Sequence, residues 1–322
     1  MARIVSVGSA LQDVFLIDRD DFSTDIGSNG HGYFDRLEIG TKVDIDKILF
    51  STGGGATNAA TTFARSDHES IFMGCIAHDP AGEAVISSLD KEGVDTSYIT
   101  FAKGSVHTGY SVVLLDPAGE RTILTCRGAS AHFSSLDPRD LDLIQPDWLY
   151  VSTFRGDMDM LDKFFTRAKK LGTRIMFNPG MPELEHSKKL IGLLEDTDFL
   201  LVNKTEASTI VPGILLTELL SRLQNYVPGA IITDGSQGSI ATDGTKTYRV
   251  GIYEDVKIVD VTGAGDAFGS GFLAAFASGK SFRQSLAFAS ANSTAVVQKL
   301  GAKKGIIPAS TPLHAMPIQE IK

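Results

Sequence analysis

The 322-residue sequence predicts an α/β protein: a doubly wound, mostly parallel sheet flanked by helices, with a small β lid. Two observations carry this. Short buried-strand patterns alternate with helical patterns along most of the chain, as in a parallel sheet covered on both faces. Two polar, β-rich stretches then interrupt that rhythm.

Residues 4–7 read as the first strand, 56–65 as a helix, 71–73 as a strand and 81–91 as a second helix ending at Gly93. Residues 148–151 form another strand. Met158, Leu161, Phe165, Ala168 and Leu171 mark one helix face, and Gly172 stops that helix. Residues 175–177, 199–202 and 231–233 are further buried strands. Residues 282–300 read as a long helix with Gly301 as its stop, and the tail beyond Pro308, with Pro312 and Pro317, as irregular or loosely docked.

The first interruption, residues 11–46, holds the turn-rich run Gly27-Ser28-Asn29-Gly30-His31-Gly32 and the alternating Leu37-Glu38-Ile39. The second reads as a hairpin, 108–115 and 121–125 around Asp116-Pro117-Ala118-Gly119. The expected division is a core of residues 1–10, 47–104 and 128–322 and a lid of 11–46 and 105–127. A lid suits group transfer, because closure keeps water from competing as acceptor.

Hydrophobic residues make up 43% of the chain and charged residues 21%, ordinary for a globular protein. The net charge of −9 argues against nucleic acid as a partner, since no basic field collects phosphates. Cys75 and Cys126 are too few for a disulfide framework, so both are expected reduced in a cytoplasmic protein. The first residues reach Gly8 too soon for a signal peptide, and no apolar run approaches membrane-spanning length.

The most informative stretch is residues 260–272. A β-branched segment, Lys257-Ile258-Val259, runs into the turn Gly263-Ala264-Gly265, and an apolar helix follows with Phe268, Phe272 and Phe276 on one face. A helix start leaves N–H groups unpaired, and with the positive end of the helix dipole they make an anion site. Asp266 stands at that mouth. A carboxylate beside a cradle for negative charge suggests phosphoryl transfer, with Asp266 as general base and residues 263–265 stabilising the transferred group. The plainer alternative is a packing turn with a helix-stabilising Asp. A dinucleotide fingerprint is excluded because Phe268 occupies its third position, and a P-loop because Ala274 stands where its first glycine belongs before Gly279-Lys280-Ser281. No zinc spacing or serine-hydrolase elbow occurs.

The stretch resembles the C-terminal signature of the ribokinase-like (PfkB) carbohydrate kinases. Thr52-Gly53-Gly54-Gly55-Ala56-Thr57-Asn58 through Gly74 and Asp79-Pro80-Ala81-Gly82 resembles their N-terminal signature, and Asn203-Lys204-Thr205-Glu206 their Asn-x-x-Glu motif. The three occur in the family's order over nearly the whole chain. The resemblance implies a ribokinase-like fold, ATP and Mg²⁺. It places Asp13, Gly54, Gly55 and Asn58 on the sugar. It places Asn203 and Glu206 at the phosphates, with Glu206 reaching Mg²⁺ through water. An N-cap with a first-turn Glu is the alternative for that pair. Thr233, Gly235, Ser236 and Gly238 are implied at the nucleotide, with Asn292 near the adenine. Asp260 and Thr262 are implied at a monovalent cation such as K⁺.

The expected activity is therefore transfer of the γ-phosphoryl group of ATP to a sugar hydroxyl. A nucleoside kinase is the alternative, with Phe15, Tyr110 and Phe154 either stacking on a base or packing the lid. A binding protein that has lost transfer is a more remote one. Arg155 follows the strand 148–151 where ribose-specific members tend to place an acidic sugar contact, which puts ribose in doubt and leaves an anionic substrate open. No membrane partner is expected, and an exposed lid edge offers a route to a homodimer.

Overall fold

The alternation expected from the sequence is present in the computed structural model of the chain, which describes all residues except 18–23, 27–31, 35–39, 41, 43, 116–120, 255 and 322. The run at 27–31, the segment 37–39 and the turn 116–119 lie outside the described residues.

Strands β1 (Arg3–Val7), β2 (Leu11–Ile17), β3 (Thr24–Ile26), β4 (Gly32–Phe34) and β5 (Lys47–Gly53) precede helix α1 (Gly55–Arg65). Then come β6 (Glu69–Ile76), α2 (Pro80–Lys91), β7 (Ile99–Phe101), β8 (Gly109–Leu115) and β9 (Arg121–Cys126). Helix α3 (Asp140–Ile144), β10 (Trp148–Val151), α4 (Met158–Leu171) and β11 (Arg174–Phe177) follow. Next are α5 (Met181–Leu184), α6 (Ser187–Glu195), β12 (Phe199–Asn203), α7 (Lys204–Ile210) and α8 (Leu216–Leu223). The chain closes with β13 (Gly229–Thr233), β14 (Ser239–Thr242), β15 (Thr247–Val250), α9 (Ala264–Ala277), α10 (Phe282–Val297) and β16 (Ile318–Ile321).

Ten strands among the described residues form one sheet, ordered β16-β15-β14-β13-β12-β11-β10-β1-β6-β7. Pairs from β13 to β7 are parallel, and those joining β13 to β16 are antiparallel. Successive strand residues bury on opposite faces. Val5 and Leu149 belong to the core that contains Leu161 and Phe165 of α4, whereas Ile4 and Tyr150 belong to the core that contains Phe63 of α1 and Phe272 of α9. That is why these strands are apolar throughout. Strand β1 lies between β6 and β10, so the winding reverses beside it, and a crevice opens beyond the strand ends at such a point.

Helix α9 seals that crevice from behind. Its Phe272 lies 5.0 Å from Phe199, 5.6 Å from Phe276 and 5.3 Å from Phe282 by ring centroids. Such pairs contribute about 1 kcal/mol each beyond burial. A side chain at Gly269 would collide with Leu201, and one at Gly271 would crowd Asn292 at 3.1 Å, so both glycines are there for close packing.

A second, small sheet runs β5-β2-β8-β9. The expected hairpin is its β8–β9 pair, in register Leu115↔Arg121 to Tyr110↔Cys126. Strand β5, whose residues the sequence reading gives to the core, pairs with β2 from Leu11↔Gly53 to Ile17↔Lys47. Asp79 ties the two sheets together. Its carboxylate caps α2 through the Gly82 N–H (2.8 Å) and accepts from the Thr108 N–H (2.8 Å) and hydroxyl (2.7 Å) just before β8.

Other expectations need correction. Residues 257–259 join no strand; the Val259 and Asp260 N–H groups both donate to the Val297 carbonyl (2.8 and 3.2 Å). Helix α10 ends at Val297, before Gly301. The tail is irregular as far as Pro317, as expected, but it is not loose, because β16 then pairs with β15 and satisfies that strand's outer edge. Asp13, in the interruption that follows the first strand, lies within β2. Cys75 and Cys126 are both free thiols.

Candidate active site

The crevice collects the ends of neighbouring strands. Ser9 follows β1, Ser152 and Thr153 follow β10, Asn178 follows β11, Asn203 ends β12 and Thr233 ends β13. Three cavities lie along them. The first, about 320 Å³, contains Asp13, Gly54, Gly55, Asn58, Ser152 and Asp266. The second, about 380 Å³, contains Thr233, Gly235, Ser236, Gly238 and Gly265. The third, about 220 Å³, joins them: it shares Asp266 and Glu206 with the first and Asn203, Thr233, Ala264 and Gly265 with the second.

The junction is the mouth of α9. Gly263 caps the helix at φ 76, with no side-chain cap. A side chain there would collide with Ala302, whereas a Cβ on Gly265 would meet nothing within 4 Å. Gly263 is thus a packing requirement and Gly265 a spatial one, leaving room before the helix start. The Ala264 N–H points back to the Val261 carbonyl at 3.3 Å. By helix geometry the Gly265 and Asp266 N–H groups have no partner inside the helix and are the better anion donors.

Asp266 is half-buried. Its carboxylate accepts from the Asn58 side-chain amide at 2.8 Å. Burial pushes its pKa up from the ordinary carboxylate value, and the Asn58 hydrogen bond works against that shift. Burial strengthens the carboxylate as a base and the Asn58 bond favours its ionised form, both of which suit a general base.

The glycines after β5 make room in turn. Side chains at Gly53, Gly54 and Gly55 would collide with Asp13, the Ser9 carbonyl and Ser152 respectively. Gly54 also has φ 105. Only Gly55 also borders Asp266, at 3.1 Å from the place its Cβ would take. Asp13 is 4% exposed. Burial pushes its pKa up to about 6, while the Lys303 charge and the Ser111 hydroxyl hold it down. Lys303 is buried beneath the site and donates to the Thr52 hydroxyl at 2.9 Å. Burial pushes its pKa down to about 7, against the raising effect of Asp13 and Glu92. Arg65 donates to the Lys303 carbonyl at 3.0 Å and the Ile306 carbonyl at 2.8 Å, fixing this segment.

Asn203 and Glu206 form a capping box on α7. The Asn203 side chain accepts from the Glu206 N–H (2.9 Å), and one Glu206 oxygen accepts from the Asn203 N–H (2.8 Å). The capping alternative is therefore present, and both residues also line the junction cavity. Burial raises the Glu206 pKa. A single carboxylate with a remaining oxygen suits Mg²⁺, which keeps most of its waters and takes phosphate oxygens for the rest.

Asn292 does not reach the nucleotide cavity. It is fully buried, donates to the Ala267 carbonyl (2.8 Å) and accepts from the Ile307 N–H (3.0 Å), so it ties α10 to α9 and the following loop. Ser293 and Thr294 line the cavity instead. The aromatic residues expected at a base lie elsewhere. Phe15 is buried in the small sheet, Phe154 stacks on Phe133 at 4.3 Å, and none of Phe15, Tyr110 and Phe154 lines these cavities. Arg155 is exposed, in the turn after β10 at φ 57.

Asp260 is buried and accepts from the Thr262 N–H (2.9 Å) and the Gly301 N–H (3.0 Å). The Arg121 guanidinium of β9 stands 3.9 Å away, and the Thr262 hydroxyl is buried without a partner among the described residues.

Sequence reasoning missed Ser111, Arg121, Arg127, Asn178, Tyr253 and Lys303. Lys303 sits in Ala302-Lys303-Lys304-Gly305, which reads as a surface doublet, and nothing local marks it as buried.

A mostly parallel α/β sheet with a carboxylate at a helix mouth between two cavities suits a phosphotransferase acting on an alcohol group. The model of the pfkB family of carbohydrate kinases matches residues 1–309. The chain belongs to that family. A ribokinase of Haemophilus influenzae is 27% identical over 263 residues, 79% of this chain and 83% of that one. A nucleoside kinase of Methanocaldococcus jannaschii is 24% identical over 270 residues, 84% and 86% of the two chains. The Arabidopsis thaliana ribokinase solved with ribose and ATP superposes with a TM-score of 0.78 at 23% identity, covering 96% of each chain. Among the described residues no helix is long and apolar enough to cross a membrane.

Proposed function

We propose that the protein transfers the γ-phosphoryl group of ATP to a hydroxyl of a sugar. The carrying observation is that two cavities meet at Asp266 and the open mouth of α9. The nucleotide lies along Thr233, Gly235, Ser236 and Gly238, against the apolar wall of Tyr253, Val261 and Phe268. The acceptor lies against Asp13, Asn58 and the backbone at Gly54 and Gly55. Asp13 accepts hydrogen bonds from its hydroxyls, and Asp266 takes the proton of the attacking one. The new O–P bond forms as the bond to ADP breaks, and the Gly265 and Asp266 N–H groups stabilise the migrating group. Glu206, with Asn203, would hold Mg²⁺ through water, and the bound ion would supply neutralisation of phosphate charge. The small sheet closes over the acceptor as a lid.

A sugar is favoured over a nucleoside because the aromatic residues expected to stack on a base are buried or turned elsewhere. For a monovalent cation beside Asp260 and Thr262, the unpartnered Thr262 hydroxyl is the support and Arg121 the competitor; in this reading Arg121 supplies most of the positive charge. A homodimer through the small sheet is supported by the apolar side chains on its outer face. Phe50 is 64% exposed, Leu124 58% and Ile48 50%.

The test is ADP release across a panel of sugars and nucleosides, with ³¹P NMR of the product. Phosphorylation of nucleosides but not sugars refutes the acceptor assignment. ATP hydrolysis without a phosphorylated acceptor refutes transfer.

A further inference from the structure

The acceptor cavity has a basic end that the phosphoryl-transfer machinery does not use. Arg127, the residue after β9, lines it beside Ser152, Thr153 and Asn178 and is half-buried. Arg155 stands in the adjoining turn, where its N–H donates to the Thr153 hydroxyl at 3.1 Å.

That turn is held firmly. Glu183 is fully buried and accepts from the Thr153 hydroxyl (2.8 Å) and the N–H groups of Phe154 (2.9 Å), Gly156 (2.7 Å) and Gly180 (2.7 Å). Its lone pairs are spent on the Thr153 hydroxyl and the backbone, so it orients the turn and offers no fork for a guanidinium. The turn keeps Arg155 in a left-handed conformation that a non-glycine residue seldom adopts.

Among the described residues neither Arg127 nor Arg155 forms an ion pair, unlike Arg65, Arg139, Arg167 and Arg174. Burial, and secondarily the charge of Arg155, hold the Arg127 guanidinium below its usual range. Arg127 thus lines one polar cavity and the charge of Arg155 reaches it from the adjoining turn, while the carboxylates of that cavity, Asp13, Glu206 and Asp266, form no ion pair with either among the described residues. The phosphates of ATP belong to the other end, at Thr233 and the mouth of α9, and Arg127 lines neither cavity there.

From this arrangement we infer that the acceptor carries an oxyanion, a phosphate or a carboxylate, at the end remote from the reacting hydroxyl, and that Arg127 and Arg155 receive it. This deepens the kinase reading and rests on it. A planar guanidinium matches the two-oxygen edge of either group, and a neutral sugar leaves both charges unanswered.

Matched pairs test this by ADP release and, separately from turnover, by calorimetry: ribose against ribose 5-phosphate, fructose against fructose 6-phosphate, glucose against gluconate. The anionic member of at least one pair should give a kcat/KM about 100-fold higher, as expected for charge-assisted bidentate contacts. Arg127→Ala and Arg155→Asn (Asn tolerates the left-handed backbone) should each raise its KM about tenfold or more and move kcat less, the signature of lost uniform binding. Arg127→Lys should restore part of the loss for a phosphate. Neutral members equal to or better than their partners overturn the inference and leave the kinase reading intact. An anionic preference that survives the double variant overturns the assignment to these arginines. Arginine-dependent binding of an anionic member without turnover supports the inference and removes the kinase reading. Neither binding nor turnover with any anionic member overturns the inference.

Discussion

The Asn58 amide meets the Asp266 carboxylate at 2.8 Å across 208 residues of sequence. The contact joins the start of α1 to the start of α9, the two places where the proposed reaction puts the acceptor and the phosphoryl group. The Asn58 bond favours the ionised form of Asp266 and orients it, while the Asn58 carbonyl oxygen is buried without a partner among the described residues.

Asp266→Asn should lower kcat by about 10²–10⁴, the range of a lost general base, with acceptor affinity within a few-fold. Because burial raises the Asp266 pKa, the folded state bears a cost for its charge, so the variant should melt no lower than the parent. Near-normal turnover by ADP release removes Asp266 from the chemistry.

Gly263 and Gly265 should separate stability from catalysis. Gly263→Ala forces a side chain to φ 76 and against Ala302, which should cost about 1–2 kcal/mol or more in denaturant titration. Gly265→Val meets open space, so it should fold normally while kcat falls at least about 100-fold, as when an anion-stabilising donor is blocked. Equal effects of both on stability contradict the distinction.

The pH profile should report Asp13. Its folded value of about 6 lies above its unfolded 3.8, so its favourable contribution to stability is present below 3.8 and lost as pH rises through 6. Lys303, lowered from 10.5 to about 7, contributes its stability above 10.5 and loses it as pH falls through 7. The acceptor needs Asp13 ionised, so kcat/KM should fall below pH 6. Lys303→Met removes a positive neighbour and should move that limb up by roughly half a unit to one unit. An unmoved acid limb separates the two groups.

Potassium should matter little while Arg121 is present. Rates in potassium and in tetramethylammonium should agree within about threefold, and Arg121→Ala should widen the gap, since a local charge is then missing. A large potassium effect that Arg121→Ala leaves unchanged rejects the role given to Arg121.

Phe50→Glu on the outer face of the small sheet should convert a dimer to monomers in size-exclusion chromatography with light scattering. A parent protein that is monomeric at micromolar concentration ends the dimer proposal.

Much of this was legible beforehand where local chemistry and fold require the same residues. The turn at 263–265, the carboxylate of Asp266 at the helix mouth, the glycines after β5 and the apolar strands all leave periodic or compositional marks. Other features depend on partners distant in sequence and leave none. Asn292 resembles any polar helix residue until both ends of its amide meet backbone. Lys303 is buried only because Thr52 and Arg65 hold its segment. Strand β16 pairs with β15 despite the nearby prolines, which lie outside its span. Arg127 becomes interesting only once the turn carrying Arg155 is folded beside it.

The bond from the Gly301 N–H to Asp260, with that of Lys303 to Thr52, sets an order of events during translation. The stretch that braces both the first signature and the last is made after both of them. A nascent chain that has not reached Lys303 therefore lacks both bonds, and activity should switch on only once synthesis has passed this point.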